Sequence, residues 1–157
     1  MSNTMRWRYG ETNPVVLAVA AETVIEIGDL VYQDAGAVQS AGDQADQSSE
    51  AANQEAFHDG FAGVALQQSR AGDSDPIRVA TTGVFEFACL SNTFEVGDLI
   101  GVDEASSGTA LENQVVASVA TPNLAIGRCA KRVTAADTRV LVDIVSTVLY
   151  GGPQAAA

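Results

Sequence analysis

Apolar and polar residues alternate with a period of two along much of the chain, and the alternation is broken twice by the same glycine-aspartate pair. Residues 24–34 read VIEIGDLVYQD and residues 93–103 read TFEVGDLIGVD. In the first copy Ile25 and Ile27 flank Glu26, the pattern of a half-buried strand. Beyond Gly28-Asp29 the apolar positions become Leu30 and Tyr32, so the parity has reversed. Phe94 and Val96, followed by Gly97-Asp98 and Leu99, repeat the reversal. A bulge or tight turn that inserts one residue flips the inward face and bends the strand, and glycine supplies the backbone angle it needs. Gly28, Asp29, Gly97 and Asp98 are therefore predicted as structural corners.

The similarity extends past the corners. Residues 61–87, FAGVALQQSRAGDSDPIRVATTGVFEF, align loosely with residues 124–149, LAIGRCAKRVTAADTRVLVDIVSTVL. Each has an apolar strand around a glycine (Gly63, Gly127), a small polar turn, and a β-branched strand starting at Arg78 or Arg139. Units of about 60 residues are too small to bury a full face alone, which predicts one shared core. The expected fold is all-β: a small barrel or sandwich built from two related halves, about 22–87 and 91–149, in a single β domain over 15–149. Residues 42–60 form a polar excursion in which Ser48 or Ser49 can cap a short helix ending near His58. The matching stretch of the second half holds another strand before Pro122. Residues 1–14 and 150–157 lack periodicity and are expected to be an N-terminal arm and a flexible C-terminal tail.

Charge narrows the possible partners. The chain has 157 residues, a net charge of −12 and a pI near 4.2, which argues against nucleic acid because phosphate contacts require clustered Lys and Arg. Residues 9–69 contain no Lys or Arg at all, whereas Arg128, Lys131, Arg132 and Arg139 crowd one segment. That segment offers a contact for an acidic neighbour, another copy included, or protects a strand edge by charge. Cys89 and Cys129 are too few for a disulfide framework and too far apart for a zinc site; they are expected to be buried thiols, with their pairing left open. The apolar run PVVLAVAAETV is short and bracketed by Glu11 and Glu22, and no stretch approaches a membrane span, so a soluble chain made in the cytoplasm is expected.

Candidate chemistry is sparse. His58 is the single histidine and Lys131 the single lysine. A serine-lysine dyad, a lysine-borne carrier group and a transition-metal site each lack a required residue, so no catalytic residue, cofactor or metal is assigned. His58 beside Asp59 reads as a solvent-exposed turn; the competing enzyme or ligand-binding β-barrel would place a pocket there. Asp73 and Asp75 read as a turn before Pro76, since the twelve-residue calcium pattern is absent. Trp7 and Tyr9, interleaved with Arg6 and Arg8, are residue types that dominate interface hot spots, and an arm exposes them to a partner.

The stretches VIEIGDLVYQD, EAFHDGFAGVAL, DPIRVATTGVFEF, FEVGDLIGV and LAIGRCAKR together resemble the capsid cement or head-decoration proteins of tailed phages. The resemblance covers most of residues 24–149. It implies a small β-rich structural protein, without cofactor or catalysis, on the capsid exterior of the virion. It also implies two partners, the major capsid protein and the chain's own copies, commonly as a homotrimer at three-fold positions. A tail or baseplate component is the nearest alternative. The residues expected to meet partners are Arg6, Trp7, Arg8, Tyr9, Arg128, Lys131 and Arg132.

Overall fold

The structure is a computed structural model that describes residues 4–155; residues 1–3 of the expected arm and 156–157 of the expected tail lie outside the described residues. The strands are β1 (Arg6–Tyr9), β2 (Val15–Leu17), β3 (Leu30–Asp34), β4 (Ala37–Ser40), β5 (Phe61–Ala65), β6 (Ile77–Ala80), β7 (Thr82–Phe94), β8 (Leu99–Glu104), β9 (Leu111–Ser118), β10 (Gly127–Cys129) and β11 (Val133–Val145). Two helices, α1 (Glu50–Gly60) and α2 (Thr147–Tyr150), accompany them. The fold is all-β, as the alternation predicts.

Connectivity is duplicated. One sheet has the order β2-β6-β5-β3-β4, and the other contains β7-β11-β10-β8-β9, so adding five to each strand of the first unit gives the second. The second unit closes into a five-stranded barrel because β7 also pairs in parallel with β9, Ala88 opposite Val115 and Cys89 opposite Val116. In the first unit the Val38 amide donates to the Ala18 carbonyl at 2.9 Å, which brings β4 to the end of β2 in the same sense. The main core draws on both units. Phe57, Phe61, Phe85 and Phe87 are fully buried in it beside Leu30, Ile100, Ile126 and Ile144, and each large side chain contributes about 1.5–3 kcal/mol. A smaller cluster around Ile25, Val31, Val38 and Val79 fills the first unit alone.

The two corners have the same hydrogen bonds. Gly28 and Gly97 have φ of 96° and 93°, and the amides of Asp29 and Asp98 donate to the carbonyls of Glu26 and Glu95 at 3.1 Å each, the pattern of a turn with glycine at its third position. Asp29 Oδ2 accepts from the Glu26 amide at 3.0 Å, and Asp98 Oδ2 from the Glu95 amide at 2.8 Å. Each corner is tied to its own unit by Gly28 N to Ala65 O and Gly97 N to Cys129 O. Because the device is a turn rather than a bulge within a strand, Ile27 and Val96 sit at its outer position and are exposed, while Ile25 and Phe94 remain buried.

Downstream of the corners the alignment shifts by two residues from the sequence expectation. The Leu66 amide donates to Arg78 O and the Ala130 amide to Leu141 O, so Arg78 occupies the place of Leu141 rather than that of Arg139. Gly63 and Gly127 do correspond: a Cβ on either would collide with a backbone carbonyl of the adjacent strand, Ala80 or Asp143. Within residues 42–60 the expected helix forms as α1, where Ser49 Oγ accepts from the Ala52 amide at 3.2 Å, and it runs two residues beyond His58.

Both terminal segments are more ordered than their lack of periodicity predicts. Beside β7, β9 pairs only with Ala88 and Cys89, and β1 adds to the vacant stretch, Arg6 opposite Glu86 and Trp7 opposite Phe85. Met5 is buried, and the amides of Thr4 and Met5 donate to Gln114 Oε1 at 2.9 and 3.1 Å. Farther on, the Thr81 amide donates to Thr12 O at 2.9 Å, so this segment straddles the junction of the two units. At the other end Gly151, with φ 81°, turns the chain back, Gly152 and Pro153 are buried, and Arg128 donates to the Gln154 carbonyl.

Candidate functional site

The outer face of the β1–β7–β11 ribbon gathers the exposed chemistry. Glu86 lies opposite Arg6 on one side and Leu141 on the other. Past β10, the turn at residues 130–132 folds over this row, held by the Ala130 amide on Leu141 O at 2.9 Å. The result is a trough of about 550 Å³ lined by Arg8, Tyr9, Glu86, Ala130, Lys131 and Leu141. A second hollow of about 210 Å³ shares Glu86, Lys131 and Leu141 with it and adds Arg132, Asp137 and Arg139. Trp7 and Tyr9 are 55% and 52% exposed on the same edge strand. Strand pairing thus joins two segments more than 120 residues apart in sequence, the Arg-aromatic run and the late basic cluster.

Most cations of the trough and the adjoining hollow are held in place. Arg8 Nη2 meets Glu86 Oε1 at 2.9 Å, Arg132 Nε meets Glu95 at 2.9 Å, and Arg139 Nη1 donates to Thr4 O at 2.6 Å. The Arg132 pair is exposed, so it orients side chains more than it stabilises the fold. Lys131 is exposed and has no ion pair among the described residues. Under the ribbon, burial pushes the Cys89 thiol up to about 11, with the Asp137 charge adding to the rise, and burial also raises Cys129. Both are free thiols, so the pairing left open by the sequence does not form.

Of the residues expected to meet partners, Arg8, Tyr9, Lys131 and Arg132 line the trough or its extension, and Arg6 and Trp7 lie on the strand beside it. Arg128 does not join them. Its Nη1 donates to Gly97 O at 2.8 Å and it lines a separate hollow of about 350 Å³ with Asp143, Tyr150 and Gln154, so it anchors the C-terminal turn to the second corner. His58 departs furthest from expectation. It is 8% exposed, and its Nδ1–H donates to the Ala125 carbonyl at 2.7 Å, because α1 lies over the 3-10 turn at Pro122–Leu124. Asp59 follows directly in the helix and cannot face it. Glu86 and Leu141 escaped notice in the sequence, where each reads as an ordinary position of an alternating strand. Gln114 carried no signal at all, yet it is buried and links β9 to Met5 and Asp29.

Among the described residues no group of three or more His, Cys, Asp or Glu is placed to hold a metal ion, and no helix is long and apolar enough to cross a membrane. The described residues thus form a duplicated β fold with a cationic and aromatic strand ribbon on one outer face. The family model for phage cement proteins matches residues 44–144, and the chain belongs to that family. It is thus a structural protein of the phage capsid, associated with the virion. The matched region begins just before α1 and leaves β1 to β4 outside it. No curated protein and no solved structure matches the chain.

Proposed function

We propose that the protein decorates the outer surface of the capsid as a homotrimer and stabilises the lattice by bridging neighbouring subunits of the major capsid protein. It is synthesised in the host cytoplasm and does no chemistry on its partners. Membership of the cement family supports the capsid assignment. The observation that carries the attachment mode is β1, whose four residues Arg6, Trp7, Arg8 and Tyr9 are all exposed although the strand is fixed on β7. Aromatic and arginine side chains held rigidly at a surface lose little entropy on binding, the property of a hot spot. Each bridge buries surface that exists only on the closed shell, so attachment favours that state by mass action.

The test is co-sedimentation of the purified protein with expanded shells, followed by electron microscopy of the pellets. Ordered density on the shell exterior is the expected result, and Trp7→Ala should weaken binding while leaving the melting temperature within about 2 °C, as for a surface substitution. Shells that pellet without the protein, or density confined to the interior, would overturn the proposal.

A further inference from the structure

Charge is distributed unevenly over the chain. The β1, β7 and β11 strands with residues 95 and 130–132 carry five of the eight cations and four of the twenty acidic residues. Everything else therefore carries three cations against sixteen acids. In the ring β7-β11-β10-β8-β9 the strand directly across from the β7–β11 pair is β8. Asp103 and Glu104 end β8, and the start of α1 stands beside them: Asn53 Nδ2 reaches both Glu104 Oε2 at 2.9 Å and Asp46 Oδ1 at 3.1 Å. Burial raises the Glu50 carboxyl, and the Asp103 and Glu104 charges raise it further. This end of the barrel holds several carboxylates in mutual repulsion, with no ion pair to a cation among the described residues.

We propose that the basic trough of one copy receives the acidic α1–β8 end of a second copy, with Lys131 meeting the Glu50–Asp103 cluster. The inference rests on the homotrimer reading and supplies its interface. The two faces lie on opposite sides of the barrel, so the contact is heterologous, and such a contact closes into a ring when each copy is rotated by a fixed fraction of a turn. Lys131 is suited to the role because folding leaves it unpaired, while Tyr9, Ala130 and Leu141 supply apolar walls around it. Complementary potentials of this kind set register and partner choice, and they weaken as salt rises.

The experiment is sedimentation velocity of the full chain across a concentration series, at low and high salt, for the parent and three variants. Lys131→Glu and Glu50→Lys should each raise the concentration needed for assembly by about tenfold or more, and the double variant, with both charges reversed in one chain, should return to within about threefold of the parent. Circular dichroism on each variant separates lost assembly from lost folding, and Asp103→Asn serves as a gentler probe of the acidic end should Glu50→Lys fail to fold. A parent trimer that ignores all of these changes overturns this interface and leaves the homotrimer standing. A parent that is monomeric throughout overturns both. Loss of shell binding by Lys131→Glu in that monomeric case would identify a capsid subunit as the occupant and equally overturn the second copy.

Discussion

Asp29 and Asp98 stand at equivalent corners with the same backbone geometry, so substituting each isolates what surrounds them. Asp29 is 1% exposed; its Oδ2 accepts from the Glu26 amide and from Ser40 Oγ at 2.7 Å, and its Oδ1 accepts from Gln114 Nε2 at 3.0 Å. Asp98 is partly exposed and its side chain accepts one bond, from the Glu95 amide. Hydrogen bonds to a charged group contribute about 1.5–3 kcal/mol each but do not add fully, and the carboxylate's own desolvation offsets part of the sum. Asp29→Ala should cost about 3–5 kcal/mol, since it also leaves the Ser40 hydroxyl buried without a partner and takes from the Gln114 amide one of its two acceptors, leaving it only the Ile27 carbonyl at 3.2 Å. Asp98→Ala, which loses a capping bond in partial contact with water, should cost about 1 kcal/mol. In a chain of this length each kcal/mol moves the melting temperature by about 2–4 °C. Urea unfolding at one fixed protein concentration measures the difference. Equal losses for the two variants would refute the reasoning, because they would mean that the corner backbone dominates and the link to Gln114 adds nothing.

Asp29→Asn sharpens the same test without a change of volume. Gln114 Oε1 already accepts from the amides of Thr4 and Met5, so its NH2 group must face residue 29. The Glu26 amide faces the other side-chain oxygen. Either orientation of an asparagine amide sets its own NH2 against one of these donors. A loss of about 2 kcal/mol or more is expected, and a neutral effect would show that the side chains rearrange freely.

Three further outcomes follow from the packing. Gly63→Ala and Gly127→Ala should prevent folding to a soluble product, whereas Gly97→Val, where a Cβ meets open space and the strain is in φ, should lower stability by about 1–3 kcal/mol in urea, and Gly28→Val, at a buried position with the same φ, by at least as much; parent-like melting of the corner variants would contradict the turn. The Cys89 thiol, raised to about 11 by burial, should resist Ellman's reagent in the native state and react on unfolding; because its folded value exceeds that of the unfolded chain, the stability it contributes is present below about pH 9 and is lost as pH rises toward 11, which urea midpoints at pH 8 and pH 10.5 would reveal. Deleting residues 1–12 should lower the melting temperature by several degrees, since Met5 leaves the core and Thr81 loses its bond to Thr12, while Trp7→Ala should not; an unchanged melting temperature for the deletion would make this segment a detachable arm.

The duplicated corners were legible because glycine and aspartate repeat in the chain wherever the turn needs a positive φ and a side-chain acceptor. Strand alternation marked part of the core, Ile25, Leu30 and Tyr32 among it, but missed Val31, which is buried because β3 is covered on both faces; of the two serines offered as the helix cap, Ser49 is the one used. The terminal segments were not legible: β1 is exposed on every residue, so it has no alternation to read, and its place is set by the vacant edge of β7. His58 misled because the end of a polar helix was expected to face solvent, while the surface it covers, Ala125 and the turn before it, lies 67 residues away in sequence. The trough was half legible. Its cations were conspicuous in composition, but Glu86 and Leu141 became part of it only through register.

Asp103 apart, whose counterpart is Asp34, the proposed contacts fall where the two units differ. Between β4 and β5 the first unit inserts α1, where the second has only the short turn at Pro122–Leu124. The strands β2 and β6 are three and four residues long, whereas their counterparts β7 and β11 have thirteen each and carry β1 on their edge. Shared features, the corners and the close-packed glycines, are constrained by folding and recur in both copies. Features that belong to one copy serve no duplicated structural need, so they were free to acquire charge. The acidic α1 end belongs to one departure from the repeat and the basic ribbon to the other, which puts complementary surfaces on opposite sides of a single small protein.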